Sequence, residues 1–315
     1  MTESESGPLA VQYDVYGGPD VLQLRRVAAP NPRAGEVIVA VKAASLNPID
    51  WKVRAGMLQK VFPMTFPATT GRDGAGVVIA TASDVDPSFV GARVCFMAPR
   101  ATGTWAQQIA LPAGALVRTP ESLSFEQAAA LPLAGLSAYL GLVETTQVAS
   151  GMRVLIHAAA GGVGHLAVQI ARERGAEVIA TCSAANAEFV RALGASEVIA
   201  YDRTAFDERV RDIDVVFDVM GGDVHARSYK VLKRGGVMAC LVAAPFQDQS
   251  AAHGVELRMV QVRPDPAALS ALVALAGAGR LKAHVDVLSL ADFAAAQAGS
   301  QGGHARGKTV IRLAS

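Results

Sequence analysis

Between residues 154 and 174 a short apolar segment, Val154-Leu155-Ile156, leads through Ala159-Ala160-Gly161-Gly162-Val163-Gly164 into helical spacing of Val163, Ala167, Val168, Ile170 and Ala171. Few local patterns restrict a fold as tightly. Small residues in the order [GA]-x-G-x-x-G, at a strand-to-helix turn, let backbone amides approach an anion with no Cβ in the way. The third small position, Gly164, lets the helix pack close on the strand. Unpaired N–H groups and the helix dipole then favour negative charge. The turn therefore predicts a β-α-β unit with a pyrophosphate cradle at Ala160, Gly161, Gly162 and Val163.

The chain around the turn supports that unit. Strand-like Val178-Ile179-Ala180 precedes a helix over roughly 185–193, closed by Gly194. Then follow Val198-Ile199, Val215-Val216-Phe217, a helix near 224–232, and Val237-Met238-Ala239-Cys240-Leu241. Repeated strand-helix units with near-continuous apolar strands predict an α/β, doubly wound parallel sheet whose ligand lies at the carboxyl ends of the strands. Before Pro120 the pattern is different: Val37–Val41, Gly76–Ala80 and Arg93–Phe96 read as short strands between Gly/Pro/Asp turn clusters, which predicts a small β-barrel or sandwich. Ser124, with Gln127 after it, reads as the N-cap of a helix opening the second domain. The expected division is a first domain over 1–123 and a dinucleotide domain over 124–274, with 275–315 returning to the first. The alternating Lys308–Leu313 supplies the returning strand.

Composition excludes several classes. With 29 Lys and Arg against 28 Asp and Glu, the net charge of +1 offers nothing to nucleic acid or an anionic membrane. No apolar run reaches the roughly 18 residues that span a bilayer, and the Ala-rich stretch 267–278 reads as a buried helix. Met1 to Pro8 has neither the basic start nor the apolar core of a signal peptide, which predicts a cytoplasmic protein. Cys95, Cys182 and Cys240 stand alone in their segments and read as small buried residues of a reducing compartment.

Cofactor choice is read about 20 residues after the turn, where an Asp or Glu at the end of the second strand binds the ribose hydroxyls of NAD. Here that strand ends Ala180-Thr181-Cys182-Ser183-Ala184, with no carboxylate. The absence permits NADPH, with the Thr181 and Ser183 hydroxyls as donors to its 2′-phosphate. NADH stays possible, because no Lys or Arg stands between 175 and 190.

Several further segments carry a resemblance: Asn47–Gly56, Gly71–Gly76, Leu131–Tyr139, Ala158–Gly164, Leu193–Ala195, Phe217–Gly222 and His304–Lys308. In this order they resemble the medium-chain dehydrogenases/reductases, specifically the zinc-free quinone oxidoreductase (zeta-crystallin-like) branch. The resemblance implies a GroES-like β-barrel domain joined to a Rossmann domain, a homodimer, and NADPH-dependent reduction of quinones or of the C=C bond of α,β-unsaturated carbonyls. It further implies that Asn47 and Ser137 border the nicotinamide and that Ser183 and Tyr201 face the 2′-phosphate. Leu241 and Val242 would lie beneath the carboxamide, and Arg306 or Lys308 would close over the cofactor. The basic residue often found in that family stands as Ala185 or Ala187 here.

Zinc-dependent relatives carry Cys in place of Asn47 and His-Glu in place of Arg72-Asp73, and a closely spaced cysteine set where this chain has only Cys95. No metal is expected. Without a Lewis acid to lower an alcohol's pKa, the accessible reaction is hydride transfer to an electrophilic small-molecule acceptor. Lys52 is the candidate stabiliser of the developing enolate, set against a plain surface lysine. Asp50 either orients Lys52 or Arg54 or caps a local helix, and Arg72 and Asp73 are expected to form an ion pair. Trp51, Phe62 and Phe66 line an acceptor pocket or simply fill core, and His157 reads as a satisfied core histidine. The alternatives of an alcohol dehydrogenase and a non-catalytic NADPH-binding sensor share the same fold.

Overall fold

The structure is a computed structural model describing residues 7–100, 102–242, 246–303 and 305–313. His304 and Met1 to Ser6, both used in the sequence reading, lie outside the described residues. The chain folds as two compact units. One comprises Met1–Leu133, Pro264–Gly277 and His284–Ser315, the other Ala134–Arg263 and Ala278–Ala283.

The first unit opens with strands β1 (Leu9–Tyr13), β2 (Gln23–Arg26), β3 (Glu36–Ser45), β4 (Ala68–Thr69), β5 (Asp73–Thr81), β6 (Arg93–Met97), β7 (Gln108–Pro112) and β8 (Leu116–Arg118). β1 is the centre of a three-stranded antiparallel sheet, between β2 and β4. The long β3 pairs antiparallel with both β5 and β7. Val37, Val39 and Val41 share one face of β3 by strand alternation, and they bury with Phe96, Leu111 and the fully enclosed Trp105. Ser124 does cap the helix Phe125–Ala129: its Oγ accepts from the Gln127 N–H, and the Gln127 side chain accepts from the Ser124 N–H. That helix belongs to the first unit, beyond the expected limit at 123, because its buried Ala128 and Ala129 pack on β3 and β5.

The second unit is a six-stranded parallel sheet of β9 (Arg153–Ile156), β10 (Glu177–Cys182), β11 (Glu197–Ala200), β12 (Ile213–Asp218), β13 (Leu232–Cys240) and β14 (Glu256–Met259). Their order is β11-β10-β9-β12-β13-β14. The order reverses between β9 and β12, the topological switch point where such sheets hold ligands at the carboxyl ends of the strands. The helices Gly164–Glu173 and Ala187–Ala192 fall where the sequence pattern places them, and a 3-10 turn, Ala184–Asn186, precedes the second; the third, Gly222–Ser228, ends short of the expected 232, where Leu232 already opens β13. Val154, Leu155 and Ile156 are buried without alternation, as expected of a central strand covered on both faces.

The chain then returns to the first unit. The helix Pro266–Gly277 buries Ala268, Leu269, Leu272, Val273 and Ala276 along one stripe, against β8. Last come β15 (Val285–Ser289) and β16 (Lys308–Arg312). β16 pairs antiparallel with β3, so the expected returning strand takes its place beside Ala43–Ser45. No helix among the described residues is long and apolar enough to cross a membrane.

Candidate active site

At the end of β9 the backbone makes an unusual turn. Ala158 takes φ +48°, a conformation costly for a residue with a Cβ. The Ala159 N–H donates to the Thr181 carbonyl and the Gly161 N–H returns to the Ala158 carbonyl, which fixes the loop on β10. A Cβ on Gly164 would sit 2.2 Å from the Ala158 oxygen, so only glycine allows this approach of helix to strand. Among the described residues, the N–H groups of Gly162, Val163 and Gly164 have no hydrogen-bond partner. Three unpartnered amides thus stand at the start of a ten-residue helix, with Gly161, Gly162 and Val163 half-exposed and Gly164 buried. This is the donor set of an anion cradle.

Thr181, expected to donate to a 2′-phosphate, turns its hydroxyl inward. Its side chain is buried, with Oγ1 3.0 Å from His157 Nδ1, while His157 Nε2 lies 2.9 Å from Ser228 Oγ. The Ser228 hydroxyl donates to the Val224 carbonyl, so its oxygen accepts from Nε2–H, and Nδ1 accepts from Thr181. His157 is thereby a satisfied neutral histidine, and burial pushes it down to about 4. Ser183 is half-buried and accepts from the Asn186 side chain, while Tyr201 is 57% exposed.

At the end of β12, Asp218 Oδ1 accepts from the N–H groups of Met220 and Gly221, and its own carbonyl holds the N–H of Leu241. The half-buried Leu241 and Val242 are therefore fixed at the carboxyl edge of the sheet, where Val242 lies against Gly221. Asp218 Oδ2 stands 2.7 Å from His225 Nδ1, and His225 Nε2 lies 3.0 Å from the Tyr229 hydroxyl. With Cys240 these form a buried Asp-His-Cys group whose polar atoms lie within 4.8 Å of one another. Sequence reasoning missed it because the three residues come from two strands and a helix. Ser137, on the helix Pro132–Tyr139, is buried in this unit.

The first unit carries a buried charged cluster. Asp73, at the start of β5, is fully buried, and its Oδ1 accepts from Ser45 Oγ (2.7 Å) and Asn47 Nδ2 (2.9 Å). Its Oδ2 accepts from the Leu133 N–H. The Lys308 ammonium, from β16, donates to Asn47 Oδ1 and to the Leu46 carbonyl, both at 2.6 Å. Burial lowers the Lys308 pKa against the opposing pull of Asp73 and Asp50, and burial raises that of Asp73 against Lys308 and its hydrogen bonds. Asp50 caps the helix Pro48–Arg54 by accepting from the Asn47 N–H at 2.8 Å; its Oδ1 is buried without a partner. Burial, aided by the Asp73 charge, pushes it up to about 7.

Of the expected site residues in this unit, Asn47, Asp50 and Lys308 are brought together. Lys308 turns inward on Asn47, so of the pair Arg306 and Lys308 only Arg306 is exposed. Asp50 hydrogen-bonds neither Lys52 nor Arg54; Lys52 is half-buried with Nζ 5.6 Å from the Trp51 ring centre. The expected Arg72–Asp73 ion pair does not form. Asp73 is turned to Ser45, Asn47 and Leu133, while Arg72 Nε and Nη1 have no hydrogen-bond partner. Arg72 is among the residues lining a cavity of about 20 Å³, with Asp50, Phe62 and Arg100. Phe66 is core, edge-on to Tyr13 and Tyr16.

These geometries agree with what the chain is similar to. Residues 33–121 match the alcohol dehydrogenase GroES-like domain, and residues 193–311 match the zinc-binding dehydrogenase family. Along nearly its whole length, 96% of this chain and 97% of the relative, it is 32% identical to the chloroplastic quinone oxidoreductase QR1 of Triphysaria versicolor. The chain belongs to the medium-chain dehydrogenase/reductase family of oxidoreductases. Its barrel unit is the family's GroES-like domain and its parallel sheet the Rossmann domain. A chloroplastic quinone-oxidoreductase homologue of Spinacia oleracea is 41% identical over 199 residues, 61% of this chain and 60% of that protein. The chain thus spans about 60% of the length of the first curated relatives it matches. The Escherichia coli quinone oxidoreductase complexed with NADPH superposes with a TM-score of 0.87 at 27% identity, covering 96% of this chain and 99% of that one.

Proposed function

We propose that this medium-chain oxidoreductase transfers a hydride from a reduced nicotinamide dinucleotide to a quinone or to the β-carbon of an α,β-unsaturated carbonyl, without zinc. The observation that carries the reading is the unpartnered trio of amides at Gly162, Val163 and Gly164, on a turn whose close approach to the strand requires glycine at 164. A pyrophosphate fits that donor set in charge and in steric access. When bound, the dinucleotide supplies the hydride; the chain's own residues bind and orient it. Leu241 and Val242, fixed through Asp218, offer an apolar edge to the nicotinamide. NADPH is the cofactor the family resemblance points to, and the E. coli relative carries that dinucleotide in its structure.

Zinc does not suit the residues at the position where metal-dependent relatives hold it. An ammonium, Lys308 Nζ, already sits on Asn47, and Asn47 donates its amide hydrogens to Asp73 and Ser45. A second cation there would meet a like charge in a buried place. In the other unit, the buried Asp218 carboxylate is already occupied by two backbone N–H groups and His225. Asn47 is held by Asp50, Asp73 and Lys308 as a rigid group, and Lys52, half-buried on the helix that Asn47 caps, is the cation assigned to a developing oxyanion. The acceptor is a small electrophile, and the chain works as a homodimer in the cytoplasm.

The test is oxidation of NADPH and NADH by the whole chain over a panel of quinones, alkenals, enones and simple alcohols run in reverse. Turnover of a quinone or enone, unaffected by a chelator, is expected. Alcohol oxidation that is lost with a chelator and restored by zinc would overturn the reading. Lys52→Ala with unchanged kcat/KM would remove that residue from the mechanism.

A further inference from the structure

The end of β10 is where a dinucleotide unit reads the adenine ribose. That strand contributes no acid, but its neighbour does. β10 and β11 run parallel with Thr181 opposite Ile199 and Cys182 opposite Ala200, and the ladder continues through the Tyr201 N–H to the Cys182 carbonyl. Two residues further along each strand, Asp202 Oδ1 accepts from the Ala184 N–H at 2.9 Å. Its Oδ2 has no partner among the described residues, and its side chain is exposed.

Resting on the dinucleotide reading above, we infer that Asp202 takes the part of the missing strand-end acid, accepting the ribose hydroxyls of NADH and excluding the 2′-phosphate of NADPH. Three features of the site support this. The carboxylate stands at the tip of β10, where those hydroxyls are read in such folds. The Ala184 N–H, a natural donor to a phosphate oxygen, is already taken by a negative group. The positions that hold a basic residue in much of the family are Ala185 and Ala187. The expectation of NADPH stood on the absence of a carboxylate from this place, and the fold restores one from the next strand.

Opposing charges are present as well. Arg191 lies on the following helix and Arg203 follows Asp202. Both Arg191 and Asp202 act on the Cys182 thiol at the strand end, in opposite directions and Arg191 the more strongly. Asp202 is the one hydrogen-bonded to the strand-end backbone, at the Ala184 N–H. Once it is neutral, the two arginines are left to meet a phosphate.

The experiment measures dissociation constants of NADH and NADPH for the whole chain by nicotinamide fluorescence, in the natural protein and in Asp202→Asn. The carboxamide keeps an acceptor for the Ala184 N–H and removes only the charge. The natural chain is expected to bind NADH about tenfold more tightly than NADPH, a preference that shrinks as salt rises. In Asp202→Asn, NADPH should gain roughly tenfold and NADH should lose a few-fold. A natural chain that prefers NADPH, or an unchanged ratio in Asp202→Asn, overturns the inference while leaving the reductase reading intact. Binding of neither dinucleotide overturns that reading and this inference together.

Discussion

One enclosed cluster in each unit is held in a contrasting way. In the barrel unit the groups are ionisable: Lys308, Asp73 and Asp50 are joined through Asn47 and Ser45, with the buried Arg72 next to Asp73 in sequence. In the Rossmann unit, His157 is held neutral between two hydroxyls, each of its ring nitrogens with a single partner. The difference shows in protonation. Burial raises Asp50 to about 7 and lowers His157 to about 4, since in each case the enclosure favours the uncharged form. For Asp50 the folded chain holds a proton that the unfolded chain has lost, so its contribution is complete below about pH 4 and drains as pH rises through 7. For His157 the unfolded chain gains a proton first, so its contribution is complete above about 6.5 and drains as pH falls toward 4. The same burial thus tilts stability in opposite senses across one pH window.

Removing the central cation should have the largest effect. Lys308→Met leaves the Leu46 carbonyl and Asn47 Oδ1 unpaired and takes the counter-charge from Asp73. A loss of about 4 kcal/mol is expected, near 10 °C in Tm by calorimetry. A fall of under 2 °C would mean that the cluster does not depend on its ammonium. Next in size, Asp50→Asn retains an acceptor for the Asn47 N–H but never ionises. At pH 8 it should be more stable than the natural chain by about 2 kcal/mol, with no gain at pH 4. Equal gains at both pH values would remove the titration from the explanation. The smallest change is expected from His157→Leu, which leaves the Thr181 hydroxyl without its partner. It should cost about 1 kcal/mol at pH 7 and less at pH 5, where the natural chain has already begun to lose the histidine's contribution. A cost that grew toward pH 5 would reverse the assigned sign.

Much of the Rossmann unit was legible because its signals are local. The apolar run of β9, the glycine spacing and the helix from Gly164 lie within some 20 consecutive residues, and the structure keeps all three. The barrel unit was legible as strands but not as a site. Lys308 meets Asn47 across 261 residues of sequence, and nothing near either residue announces the other. Arg72 and Asp73 were misread as partners because adjacent residues at a strand start send their side chains apart. Ser124 and Gln127 gave the right helix, but only tertiary packing of Ala128 and Ala129 decides which unit keeps it. Asp202 is the instructive omission. Once two parallel strands are aligned by their apolar runs, stepping two residues past their ends brings Asp202 beside Ala184, so the missing acid could have been sought on the next strand.

The central claim is that the strand-to-helix turn of the second unit grips a dinucleotide. Gly161 is half-exposed, and a Cβ there would come within 3.3 Å of the Ala158 oxygen, a tight contact, so Gly161→Val fills the approach to the unpartnered amides and is judged against its own starting Tm. The deciding measurement is the Tm of both proteins with and without NADH or NADPH. At about a hundred times the dissociation constant, the natural chain should gain about 2.7 kcal/mol, a rise of several degrees. Gly161→Val should gain nothing over its own starting Tm. A natural chain indifferent to both dinucleotides, or a variant that rises as far as its parent, would contradict the account.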